Sequence, residues 1–184
     1  MKKFNAIILF ATICVFGFSS CVKSNTEEEN DNEVITTMEV HLTPAGGTEI
    51  VYKFDDPDGP GGTAATQDVI TLAAAKTYAV RIVLLDKTKN PVDVITDEVR
   101  EEAVDHRFYY EPSTGSNITV TNPDLDANGI PVGITSTWTT GAAANGTVKI
   151  TLRHYENGGK MANDLVSSTN SSTDAEVNFT TRIQ

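Results

Sequence analysis

The sequence predicts an all-β domain over residues 34–184, an antiparallel β-sandwich of about nine strands with one short helix. Three observations point there. Apolar residues recur with a period of two, the alternating segments are short and bounded by Gly, Pro, Asn and Asp, and no helical segment of crossover length separates them as a parallel sheet would need. A stretch of this size suits a single domain, one that buries about two-thirds of its unfolded surface.

The elements follow in order. Met38, Val40 and Leu42 alternate with Glu39 and His41; Ala45-Gly46-Gly47 turns the chain, and Ile50, Tyr52 and Phe54 alternate with Val51 and Lys53, which reads as a hairpin. A short strand over 69–72 precedes a longer one whose Tyr78, Val80, Ile82 and Leu84 share a face opposite Arg81. Further strands are expected over 107–111, 117–122, 134–140, 147–154 and 175–183. In the last two, Val148, Ile150, Leu152, Val177, Phe179 and Ile183 point inward, and Lys149, Thr151 and Arg153 face water. The one helix lies over 96–106, with Thr96 as its cap, acids in its first turn and Val99 facing Ala103.

Ahead of the domain, Lys2 and Lys3 precede an apolar run over 4–18 and the small pair Ser19-Ser20. The run is shorter than the about 20 residues a spanning helix needs, and its basic, apolar, small order is that of an export signal. Residues 1–20 therefore read as a signal peptide. Phe18-Ser19-Ser20-Cys21 resembles the lipobox of bacterial lipoproteins, which implies cleavage before Cys21 and acylation of its thiol and new amino group. Each buried methylene contributes about 0.8 kcal/mol, so several chains on Cys21 anchor durably where one does not. An ordinary cleaved signal with a stray cysteine is the alternative. Cys14 falls in the removed segment, so no disulfide, thiolate metal site or cysteine nucleophile is left.

Residues 21–33 then form a tether. Glu27, Glu28, Glu29, Asp31 and Glu33 with almost nothing apolar cannot offset the entropy of ordering. Such an acidic cluster looks like the export signal of surface lipoproteins in Bacteroidota, or is simply a solvated spacer. Losing Lys2 and Lys3 takes the formal charge from -11 to -13, and the tether's five acids and one lysine leave -9 on residues 34–184. Such a body repels phosphate backbones and argues against nucleic acid as a partner.

Several stretches together, the lipobox, EEAVDHRFYY, DLDANGIPVG, TTGAAANGTVKITLRH and VNFTTRIQ, resemble a family of small Bacteroidota lipoproteins often labelled "type 1 periplasmic binding fold superfamily protein". The resemblance implies a lipoprotein and brings no catalytic residues. Its label implies two doubly wound α/β lobes, whereas this chain is about half the length and has one helix, so the residues support the anchor and not that fold.

Four sites carry chemistry. Asp124, Asp126 and Asn128 followed by Gly129 match the opening of a calcium loop, but position twelve is Thr135, so calcium needs another carboxylate; Asp58, among Asp55 and Asp56 in a Pro/Gly-rich loop, is the candidate. The other reading of Asn128-Gly129 is a type I′ hairpin turn. His41, His106 and His154 lack zinc-like spacing and read as hydrogen-bonded strand-end residues, although Asp105-His106 and His154 with Glu156 could orient a base if folded together. No Gly-x-Ser-x-Gly, phosphate loop or His-Glu-x-x-His is present. Trp138 is core or an exposed platform for a sugar ring, and the polar stretch 156–174 is a recognition loop or disordered.

The expectation is a non-enzymatic lipoprotein anchored to the outer membrane, facing the cell surface or the periplasm, that works as a binding or assembly module for a protein or glycan. A calcium-stabilised structural surface protein and a secreted hydrolase using His106 and His154 are the alternatives.

Overall fold

A computed structural model describes residues 34–59 and 61–184. The signal segment, Cys21 and the tether lie outside the described residues. The body is an all-β sandwich. Ten strands are described: β1 (Thr37–Pro44), β2 (Ile50–Asp55), β3 (Thr66–Gln67), β4 (Ile70–Leu72), β5 (Thr77–Leu85), β6 (His106–Pro112), β7 (Ile118–Thr121), β8 (Thr135–Thr140), β9 (Ala144–His154) and β10 (Ser172–Ile183), with one helix, α1 (Ile95–Glu101), between β5 and β6. The extra strand is the two-residue β3, too short to show a period.

A six-stranded sheet has the order β3-β2-β1-β5-β8-β7, and a four-stranded sheet the order β4-β10-β9-β6. Every pairing is antiparallel except β4 with β10, which runs parallel from Thr181 opposite Ile70. The period-two pattern decides which face of each strand is buried. Met38, Val40, Leu42, Val80, Ile82 and Leu84 from the larger sheet meet Phe108, Val148, Ile150, Leu152, Val177 and Phe179 from the smaller one in a single buried cluster, to which α1 adds Ile95 and Val99. Burying each such side chain contributes about 1.5–3 kcal/mol. Trp138 is fully buried, its indole N–H donating to Ser136 Oγ at 3.2 Å and its ring meeting Tyr110 edge-on at 6.0 Å. It is core, and the sugar-platform reading fails.

Three local expectations are corrected. Helix α1 ends at Glu101, not His106, and Thr96 does not cap it: the Thr96 hydroxyl accepts a 2.6 Å bond from Leu84 N, satisfying the end of β5. Thr151, expected in water, is 1% exposed, because Tyr109 and Glu176 flank it on the neighbouring strands. Asn128-Gly129 is not a type I′ turn. Gly129 N bonds Asp126 O at 3.0 Å, so Ala127 and Asn128 are the central residues, and only Gly129 has positive φ, at 77°. That is a turn closed by a left-handed glycine, the commoner three-residue arrangement.

Candidate functional site

One end of the sandwich gathers most of the polar residues that the periodicity leaves unexplained. After β9 the chain leaves at Tyr155, passes a 3-10 turn at Glu156–Gly158 and returns at Ser172. This segment was expected to be a recognition loop or disordered; it is ordered against the outer face of β6 and β9. The Arg153 guanidinium donates to Ser168 O at 2.9 Å and to both oxygens of Ser171. The Tyr109 hydroxyl donates to Asp164 O at 3.0 Å and bonds the Tyr155 hydroxyl at 2.6 Å, while Arg107 stacks on the Tyr109 ring and donates to Met161 O, Ala162 O and Asp164 O at 3.3–3.4 Å. Burial, then the bond to Tyr155, pushes the Tyr109 phenol well above its ordinary value, so it stays a neutral donor. Met161 and Leu165 project from the loop, 63% and 66% exposed.

Lys160 is the loop's inner anchor. Its side chain is 1% exposed; Nζ donates to Ala103 O at 2.6 Å, His106 O at 2.9 Å and Pro131 O at 3.2 Å, and lies 2.9 Å from Asp126 Oδ2, a carboxylate with no exposure. Burial lowers the Lys160 ammonium below its ordinary range against the pull of Asp126. Burial also opposes the Asp126 charge, but the amides of Ile130 and Asn128 and the ammonium outweigh it and hold that carboxyl below the usual range.

The carboxylates expected to bind calcium have partners within the chain. Asp126 Oδ1 accepts from Asn128 N at 2.8 Å and Ile130 N at 2.9 Å, and its other oxygen faces Lys160; Asp124 Oδ1 accepts from Thr135 N at 2.8 Å. Asp58 accepts from Thr63 N at 2.8 Å within its own loop. An ammonium therefore stands against the Asp126 carboxylate, Asn128 meets that carboxylate through its backbone amide, and Asp58, Asp124 and Asp126 do not form a group with ligand atoms within 4.8 Å of one another.

Among the described residues, the group of three His, Cys, Asp or Glu whose ligand atoms come within 4.8 Å of one another is His106, His154 and Asp174. His106 opens β6 directly opposite His154, the last residue of β9, and the two rings stack with centroids 4.6 Å apart. Asp174 arrives from β10 at a bulge, where the register slips between Thr173 and Ala175. The extra residue turns a carboxylate from the strand's solvent side toward the rings. His106 Nδ1 lies 3.1 Å from Glu102 O, and its Nε2 lies 3.7 Å from Asp174 Oδ2, with side-chain exposures of 1% and 3%. Burial lowers the His106 imidazole below its ordinary range and raises the Asp174 carboxyl above its own.

His106 and His154 are strand-end residues as expected, but they meet one another, whereas His41 lies in the middle of β1. His41 sits on the outer face of the larger sheet among Glu39 and Glu49, each at 2.9 Å, and Arg81 at 3.0 Å. Spacing missed the other pair because strand pairing, not chain proximity, joins them. The available signal was that His106 and His154 stand in phase with inward Phe108 and Leu152; Asp174 had none except the break in alternation at Asp174-Ala175.

No protein-family model, curated protein or solved structure matches the chain. Fold and site together define a β-sandwich with a cluster of buried ionisable groups at one end.

Proposed function

We propose that this protein is a lipid-anchored, non-enzymatic binding module of the cell envelope that engages a protein partner through the loop after β9. The observation that carries it is the loop itself: bonds from Arg107, Tyr109, Arg153 and Lys160 fix its backbone, while Met161 and Leu165 are left in solvent. Fixing a loop in advance removes the ordering cost that binding otherwise incurs. Flexible aliphatic side chains suit a protein surface, and the sole tryptophan, the best sugar platform, is inside. The hydrolytic reading calls on His106 and His154 together, and it is disfavoured because the His106 side chain is 1% exposed.

The anchor supports the same reading. Thr36 N bonds Leu85 O at 2.9 Å, and Leu84 docks on α1, whose far end meets His106, so the chain enters the body at the end that carries the loop. A tether from Cys21 would hold that end toward the outer membrane, and a body of charge -9 is repelled by anionic headgroups, which favours a membrane-embedded protein over lipid.

A photo-crosslinking residue placed at 161 or 165 in the producing cell tests this. A discrete protein adduct is expected, lost with Leu165→Asp and not formed from position 45 in the turn between β1 and β2, at the other end of β1 from Thr37. Adducts to lipid alone, or the same adduct from both positions, would reject it. Labelled fatty acid should enter the wild type and not Cys21→Ser; equal labelling removes the anchor.

A further inference from the structure

We infer that His106, His154 and Asp174 form a binding site for one divalent transition-metal ion of the zinc class, at the neck of the loop after β9. Its geometry is that of a ligand set: one atom from each residue lies within 4.8 Å of the others. The Glu102 carbonyl, 3.1 Å away, can only accept, so His106 carries its proton on Nδ1 and directs the Nε2 lone pair at Asp174. Nε2 and Asp174 Oδ2 lie 3.7 Å apart, beyond hydrogen-bond range.

Both oxygens of Asp174 are buried without a hydrogen-bond partner. Buried polar atoms are almost always satisfied, and a carboxylate more so than most. Tetrahedral zinc, with bonds of about 2.0–2.1 Å, spaces its ligand atoms about 3.3 Å apart. The observed 3.7 Å, and the 4.8 Å within which all three ligand atoms lie, close on an ion through small side-chain rotations. The Glu102 carbonyl on the outer nitrogen is the partner that metal-bound imidazoles commonly have.

Donor type selects the ion. Two imidazoles and one carboxylate suit zinc, nickel or copper and disfavour calcium or magnesium, which take oxygen sets. Three protein ligands leave a fourth position for water or a group from the partner. Location supplies the consequence. His154 immediately precedes the loop and Asp174 follows its return, so an ion ties the neck from within the sandwich while Arg153 ties it from outside.

The full chain, purified in detergent and stripped with chelator, is titrated with Zn2+ alone by calorimetry and with Co2+ by absorption. One equivalent is expected, with the intense visible bands of tetrahedral cobalt and a rise in Tm on zinc addition. Asp174→Asn and His154→Gln should each weaken binding at least about 100-fold, since loss of a mere outer-shell partner costs 10- to 100-fold. His41→Gln should change nothing. His154 is only half-buried, so its variant reports even where Asp174→Asn misfolds. Wild type that binds no zinc, zinc binding equal in the folded variants, or a weak octahedral cobalt spectrum each overturns the assignment and leaves a buried imidazole-carboxylate pair.

Discussion

Replacing Lys160 by Met puts the organisation of the loop-bearing end to a quantitative test. Methionine fills the volume of the alkyl chain but withdraws the charge, leaving the unexposed Asp126 oxygen facing no cation and three carbonyls, of Ala103, His106 and Pro131, without their donor. Breaking a buried pair by removing one partner costs about 3–5 kcal/mol, which for a domain of this size lowers Tm by about 6–20 °C. Asp126→Asn should cost a similar amount, because its side-chain oxygen still caps Asn128 N and Ile130 N but its amide nitrogen, a donor, then faces the unpaired ammonium. The double variant should cost well under the sum, since each partner's burial penalty disappears with the other. The sign with pH follows from Asp126, whose folded carboxyl lies below its unfolded value near pH 4: the pair's contribution is present above that value and fades as pH falls through the folded one. Urea unfolding at pH 7 and pH 3 measures all of this. A Lys160→Met cost below about 1 kcal/mol at pH 7, or strict additivity, would refute the reasoning.

Other perturbations follow. With metal removed, Asp174→Asn should raise stability at pH 7 by on the order of 1 kcal/mol, because the Asp174 carboxyl is raised on folding and its ionised form is therefore a cost above that value; a lower urea midpoint would contradict this. His106 is lowered on folding, so its contribution is present above its unfolded value near 6.5 and is lost as pH falls through the folded one; the apo protein should weaken on acidification from pH 7, and His106→Gln should flatten that slope in thermal melts. Gly146→Ala places a Cβ 2.6 Å from Ser116 Cβ and 2.8 Å from Ser113 Oγ, and should cost about 1–3 kcal/mol in denaturant midpoint. Calcium should leave Tm unchanged, since Lys160 faces the Asp126 oxygen a calcium ion would need; a chelator-sensitive shift abolished by Asp124→Ala would restore the calcium loop.

Legibility varied with the range of the interaction. Nine of the ten strands, all but β3, could be read because alternation is a property of neighbours: Val40 with Leu42, Val148 with Ile150, Val177 with Phe179 each declare a face without any knowledge of the opposite sheet. Thr96 misled for the converse reason. A hydroxyl beside a helix start is a good cap, but Leu84 N, at the end of another element, competed for it and won. Lys160 looked like one more solvated charge in a polar loop, and Asp126 like one acid of a metal-binding series; each reading was locally sound and was reversed by the other residue.

By itself the sequence determined the sandwich class, the buried faces apart from that of Thr151, the place of the helix between β5 and β6 and the absence of any cysteine from the body, because composition and period act through the nearest few residues. It also carries the whole case for an anchor at Cys21, which remains a proposal. Tertiary structure alone decided that His106 and His154 are partners, that a bulge delivers Asp174 to them, and that an ammonium stands against the Asp126 carboxylate. Those outcomes depend on strand register and on charges meeting across distant segments, where one residue of slip turns a side chain to the other face.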